Sequence, residues 1–129
     1  MKQDDLRLLV VDDDPMQLEL VQRALGHEGF VVETTSSLAG AAAAVQRFGP
    51  HVVLVDVNIP GMSRDDLRGF VATGGSRARV LLFSAEDGSH LKSLAAKLGA
   101  HGWLSKSAAL PEIARRLREI HTTETAASR

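Results

Sequence analysis

Five short apolar runs, each followed by a segment of helical periodicity, restrict the folds open to this chain more than any other feature. The runs are Leu6 to Val11, Phe30 to Thr35, His51 to Val55, Arg79 to Phe83 and His101 to Leu104. The first four are rich in Val, Leu or Phe, as strands are. Between them, apolar residues recur at helical spacing: Leu18, Val21 and Leu25, then Leu38, Ala41, Ala42 and Val45. Leu91, Leu94, Ala95 and Leu98 follow the fourth run, and Leu110, Ile113, Ala114, Leu117 and Ile120 the fifth. The third such segment, around Asp65 to Val71, is short and weak. Asp14-Pro15 reads as an N-cap followed by proline at the first helical position. Gly29, Gly49 and Gly99 stand where helices should stop.

Strands alternating with helices predict an α/β fold. Its strands are parallel and joined by right-handed helical crossovers. Runs one, three and four are almost continuously apolar, as strands covered on both faces should be. Run two carries Glu33, Thr34 and Thr35, and run five is short and ends in Ser105 and Lys106. Those two belong at the edges. The expectation is a flavodoxin-like (βα)5 doubly wound parallel sheet of strand order 2-1-3-4-5, an order the general rules for this class already describe. Residues 1–121 form one domain, and the polar residues 122–129 read as a frayed tail.

Bulk properties exclude several function classes. With 129 residues the chain suits a single domain. Lys+Arg is 15 and Asp+Glu is 16, so nothing points to direct contact with nucleic acid or an anionic membrane surface. There is no cysteine, which removes disulfides, zinc–thiolate sites and cysteine nucleophiles. The acidic N-terminus is no signal peptide, and no apolar run reaches the length of a membrane span. A cytoplasmic location fits these features. The five histidines lack metal-ligand spacing and read as surface or turn residues.

In open parallel sheets, sites form beyond the carboxyl ends of the strands, near the switch in strand order. Here that switch lies between runs one and three. Run one ends in Asp12, Asp13 and Asp14, run three in Asp56, run four in Ser84 and run five in Lys106. Two carboxylates about 4 Å apart repel by roughly 4 kcal/mol at an effective dielectric near 20. Such a cluster takes up protons, gains a lysine or binds a cation. Hard carboxylate oxygens without His or Cys favour Mg²⁺ (or Mn²⁺) over zinc.

Four blocks now stand together: Leu9 to Pro15 (LVVDDDP), Val53 to Met62 (VLVDVNIPGM), Phe83-Ser84-Ala85, and Gly102 to Lys106 (GWLSK). In order and spacing they resemble the receiver domain of two-component response regulators, over nearly the whole chain to about His121. The resemblance implies that Asp56 is the phosphoacceptor, taking its phosphoryl group from a sensor histidine kinase or a histidine phosphotransfer protein. It implies Asp13 as a direct metal ligand, Asp12 as a ligand acting mainly through water, and the backbone carbonyl of Asn58 as a further one. Ser84 and Lys106 would bind phosphoryl oxygens, and Trp103 would be the switch aromatic. A phosphorylated receiver would then bind or release a kinase, an output protein or a second receiver. It would be a signalling phosphoacceptor, not an enzyme acting on other molecules.

Two positions depart from that family. Ser107 stands where proline, in a cis peptide, usually follows the lysine. A cis bond before a non-proline costs about 2.5–4 kcal/mol, so a trans bond and an altered loop are expected. Trp103 replaces the usual Tyr or Phe, and its larger indole restricts an inward swing.

Plainer readings exist for each residue. Asp12, Asp13 and Asp14 could cap the first helix, although three acids exceed what capping needs. Asp56 alone could precede a turn at Pro60-Gly61. Ser84, Lys106 and Trp103 could be a turn residue, a solvated edge lysine and plain packing. Arg115, Arg116 and Arg118 read as a solvated basic face. Two competing functions follow. One is a phosphorylation-independent interaction module. The other is an Asp-nucleophile phosphatase of the haloacid dehalogenase type, for which Asp12-x-Asp14 followed by Met16 is an incomplete motif.

Overall fold

The structure is a computed structural model that describes residues 6–74 and 77–127. Among the described residues five strands and five helices alternate: β1 (Arg7–Val11), α1 (Pro15–His27), β2 (Val31–Thr35), α2 (Leu38–Phe48), β3 (Val52–Asp56), α3 (Arg64–Gly74), β4 (Arg79–Ser84), α4 (Gly88–Leu98), β5 (Gly102–Ser105) and α5 (Leu110–Ala127). All four strand pairs are parallel, in the order β2-β1-β3-β4-β5. The expected fold and strand order are therefore present, with the polar second strand and the short fifth at the edges.

Strand periodicity sorts the core into two layers. Leu9, Val11, Val53, Val55, Val80 and Leu82 face one side and pack against α2, α3 and α4. Their neighbours Leu8, Val10, Val52, Leu54, Leu81 and Phe83 face the other side and pack against α1 and α5. β1, β3 and β4 are buried along nearly their whole length, which is why they read as unbroken apolar runs.

The local signals act as the sequence predicts. The Asp14 side chain accepts the Met16 N–H at 3.0 Å at the start of α1, with Pro15 in the first turn. Gly49 and Gly99 close α2 and α4 in the left-handed region, at φ 64° and 77°. Two elements differ from expectation. The weak third segment is a helix of 11 residues, because Leu67, Phe70 and Val71 fall on one face and are all buried. Asp66 and Ser63 also bond each other's backbone at its start, at 3.0 and 2.9 Å. α5 runs past His121 to Ala127, through residues that the sequence reads as a polar tail. After Pro111 the chain offers neither Gly nor Pro to stop it, and alanine favours continuation.

Candidate functional site

The parallel sheet delivers four strand ends to one rim. The burial that makes β1 and β3 central also buries the acids that follow or end them: Asp12 is 1% exposed and Asp56 7%. Asp13, one residue on, is exposed. The carboxylates of Asp12, Asp13 and Asp56 each place one oxygen within 4.8 Å of the others. Ser84, at the end of β4, is buried beside them in the sheet order.

Lys106, just past β5, crosses to this cluster. Its Nζ lies 2.6 Å from Asp12 Oδ2 and 3.1 Å from Asp56 Oδ2. It also sits 5.6 Å from the centre of the Phe83 ring, which shields one side of the ammonium from water. The Lys106–Ser107 peptide is trans, as expected, and the lysine still reaches both acids.

Backbone donors complete the rim. Asp56 Oδ1 accepts the Asn58 N–H at 2.9 Å, and Asp12 Oδ1 accepts the Asp14 N–H at 3.1 Å. Burial drives the Asp56 carboxyl above its ordinary pKa; the Asn58 N–H and Lys106 act against that, and the charge of Asp12 adds to it. Burial disfavours charge on Lys106, but its hydrogen bonds to Asp12 and Asp56 and their charges outweigh this and raise its pKa. The two sides agree: a desolvated acid cluster holds its lysine charged.

The sequence reading missed one participant. Glu86 Oε2 accepts the Asn58 side-chain N–H at 2.6 Å, while its Oε1 lies 3.1 Å from His90 Nε2. Its own N–H donates to Ser84 Oγ at 3.1 Å. Asn58 thus engages the β4–α4 loop through its side chain as well as Asp56 through its backbone. An acid two residues past Ser84 was the available signal, but its partner stands 28 residues away.

Trp103 lies on β5. Its half-buried indole packs against the core layer under α2–α4 and rests on Gly88 at the start of α4. A Cβ at position 88 would meet Cη2 of the indole at 3.0 Å.

Two histidines, at bends on the surface as expected, also accept backbone N–H groups. His51 Nδ1 accepts the Arg7 N–H at 2.9 Å, and His101 Nδ1 accepts the Val80 N–H at 3.0 Å. Both lie at the opposite end of the sheet from the acids and complete its backbone ladder there.

The donor set fits a hard divalent ion. Three carboxylates converge, without His or Cys among them, and one of the three is exposed. A doubly wound sheet with this acid cluster and a lysine at its carboxyl rim is the architecture of a receiver. The chain matches the response regulator receiver domain over residues 8–118 and belongs to that family. It is 35% identical over 121 residues to the transcriptional regulatory protein KdpE of Mycobacterium tuberculosis, covering 94% of this chain and 53% of that protein. With the response regulator MprA of Mycobacterium leprae it shares 28% over 115 residues, covering 89% and 50%. The chain thus spans about half the length of the curated relatives it matches. The signal receiver domain of NarL from Mycobacterium tuberculosis superposes with a TM-score of 0.77 at 30% identity, covering 92% and 97% of the two chains. The chemotaxis protein CheY4 of Vibrio cholerae gives 0.76 at 25%, covering 88% and 97%.

Proposed function

We propose that this receiver accepts a phosphoryl group on Asp56 from a histidine kinase or a histidine phosphotransfer protein. The observation that carries this reading is Lys106 Nζ between Asp12 and Asp56, inside three carboxylates lying within 4.8 Å of one another. A neutral turn or helix cap needs no such charge assembly. The Asp56 carboxylate attacks the phosphorus of a phosphohistidine. The P–N bond breaks, its electron pair stays on the imidazole, and an acyl phosphate forms. Asp12, Asp13, Asp56 and the Asn58 carbonyl would hold Mg²⁺ or Mn²⁺, which supplies charge neutralisation at the phosphoryl oxygens. Lys106 and the Ser84 hydroxyl take phosphoryl oxygens, and the remaining chemistry is positioning.

Phosphorylation would bias a two-state equilibrium of the β4–α4 loop and the α4–β5–α5 face, with Trp103 as the aromatic that moves. That face would engage a kinase, an output protein or a second receiver. The two curated relatives reported above are named as regulators, one of them transcriptional. With 15 basic and 16 acidic residues, this domain itself is not the part that would touch nucleic acid. No described helix is long and apolar enough to cross a membrane, and the cytoplasm, where kinases phosphorylate receivers, is the proposed location. The protein acts as a phosphoacceptor and turns over no other substrate.

The test is phosphoramidate or acetyl phosphate with Mg²⁺, read by intact mass. Wild type should gain one phosphoryl group and Asp56→Asn none. No gain on wild type, with a cognate kinase also failing, would leave a phosphorylation-independent module. Turnover of small phosphate esters that survives Asp56→Asn but not Asp12→Asn would point to a phosphatase.

A further inference from the structure

Lys106 reaches the carboxylates from a loop in which no proline sets the chain direction, so something else must fix its root. The structure shows a hydrogen bond on each side of it. Before the side chain, the Lys106 N–H donates to the Ser84 carbonyl at 2.8 Å, one rung beyond the Ser84–Ser105 pair. After it, the Ser107 N–H donates to Ser105 Oγ at 3.1 Å. The Ser105 and Ser107 hydroxyls lie 2.7 Å apart, and the Ala108 N–H donates to the Ser105 carbonyl at 3.2 Å. A serine hydroxyl that takes the N–H two residues on builds a turn from its side chain. It holds the Lys106–Ser107 peptide, which adjoins the Lys106 Cα that carries the lysine side chain. A four-carbon side chain is flexible, so its ammonium keeps fixed distances to two acids only when its root is fixed.

We infer that Ser105 is a positioning residue for Lys106, its hydroxyl holding the Lys106–Ser107 peptide so that Nζ stays between Asp12 and Asp56. This rests on the proposed role of Asp56. Misplacing a charged group by about 1 Å costs on the order of a hundredfold in rate, and a partial loss of order costs about tenfold. The Ser107 N–H is the donor that ties the peptide to Ser105, while the 2.7 Å hydroxyl contact joins the two side chains without involving the Lys106 backbone.

The experiment compares wild type, Ser105→Ala, Ser105→Thr and Ser107→Ala in phosphoramidate uptake with saturating Mg²⁺, followed by intact mass. Ser105→Ala should lower the rate constant at saturating donor by about tenfold. Ser105→Thr should restore it, and Ser107→Ala should stay within about twofold of wild type. A role in folding alone would lower the final phosphorylated fraction and leave the rate constant of the folded fraction unchanged. A second measurement does not depend on phosphorylation: the ¹H–¹⁵N signal of the Lys106 ammonium, assigned by its loss in Lys106→Met. It should be sharp in wild type and Ser105→Thr and broadened beyond detection in Ser105→Ala. An unchanged rate constant and ammonium signal in Ser105→Ala would overturn the inference. Wild type that takes no phosphoryl mass overturns the reading of Asp56 instead, and the ammonium signal alone then decides the role of Ser105.

Discussion

Replacing Lys106 with methionine removes one charge and keeps most of the aliphatic stem. The side chains of Lys106, Asp12 and Asp56 are 17%, 1% and 10% exposed, so water cannot fully replace the lysine. Carboxylate oxygens within 4.8 Å of each other repel by about 3.5 kcal/mol at an effective dielectric near 20. Breaking a buried ion pair from one side generally costs about 3–5 kcal/mol, because the surviving charge stays desolvated. The two estimates meet at a loss of about 3.5 kcal/mol at neutral pH with the metal chelated. Added Mg²⁺ should reverse much of it. The ion relieves the same repulsion the lysine relieves, so each weakens the other's contribution, and the coupling is reciprocal. Urea unfolding of wild type and Lys106→Met, in EDTA and at saturating Mg²⁺, measures all four corners of this cycle. The expected pattern is a large gap in EDTA and a small one in Mg²⁺. Equal stabilities in EDTA, or an equal gain from Mg²⁺ in both proteins, would refute the charge argument.

Acid should weaken the opposite end of the sheet. Burial, with Arg7 and His121 nearby, lowers the His51 pKa; burial and Arg79 lower that of His101. The unfolded state therefore binds these protons first, so the contribution is complete above about pH 6.5 and is lost as pH falls through the lowered folded values. Replacing each histidine by asparagine, whose oxygen can accept the same N–H, should flatten the urea midpoint between about pH 7.5 and 5; an unflattened profile would exclude these two groups. Gly88→Ala places a Cβ about 3.0 Å from the indole, so emission from the single tryptophan should shift without phosphorylation; an unchanged spectrum would mean that α4, not the indole, gives way. Leu54→Ala, at a fully buried position of a central strand, should cost about 2–5 kcal/mol in urea unfolding, and a loss below about 1 kcal/mol would mean that the core collapses around the cavity.

What the sequence made legible follows the range of each interaction. β1, β3 and β4 stood out because burial on both faces writes an unbroken apolar run into consecutive residues. The acid cluster was legible for a related reason: strand ends are local features, and the strand order places them side by side. α3 read weakly because Asp65, Asp66 and Arg68 dilute its pattern, yet three buried residues on one face suffice. α5 continues into a polar segment because no Gly or Pro after Pro111 stops it, a signal weaker than composition. His51 and His101 could not be seen as acceptors, since their donors lie 44 and 21 residues away on neighbouring strands. Glu86 escaped notice in the same way.

The departure at Ser107 sharpens what the lysine requires. Lys106 follows the last residue of an edge strand, held by β4 alone, so the sheet fixes its backbone on one side only. A proline after it would restrict the chain covalently but would remove an N–H. Serine keeps that N–H, and Ser105 Oγ takes it. The geometry demanded by the acids, Nζ at 2.6 and 3.1 Å, is thus met by a hydrogen bond in place of a ring. A hydrogen bond of this kind contributes about 0.5–1.5 kcal/mol and can open, whereas a proline ring fixes φ covalently. The loop that carries Lys106 should therefore rearrange more readily than one locked by proline, and the lysine should lose its place first when either Ser105 or the acid cluster is perturbed.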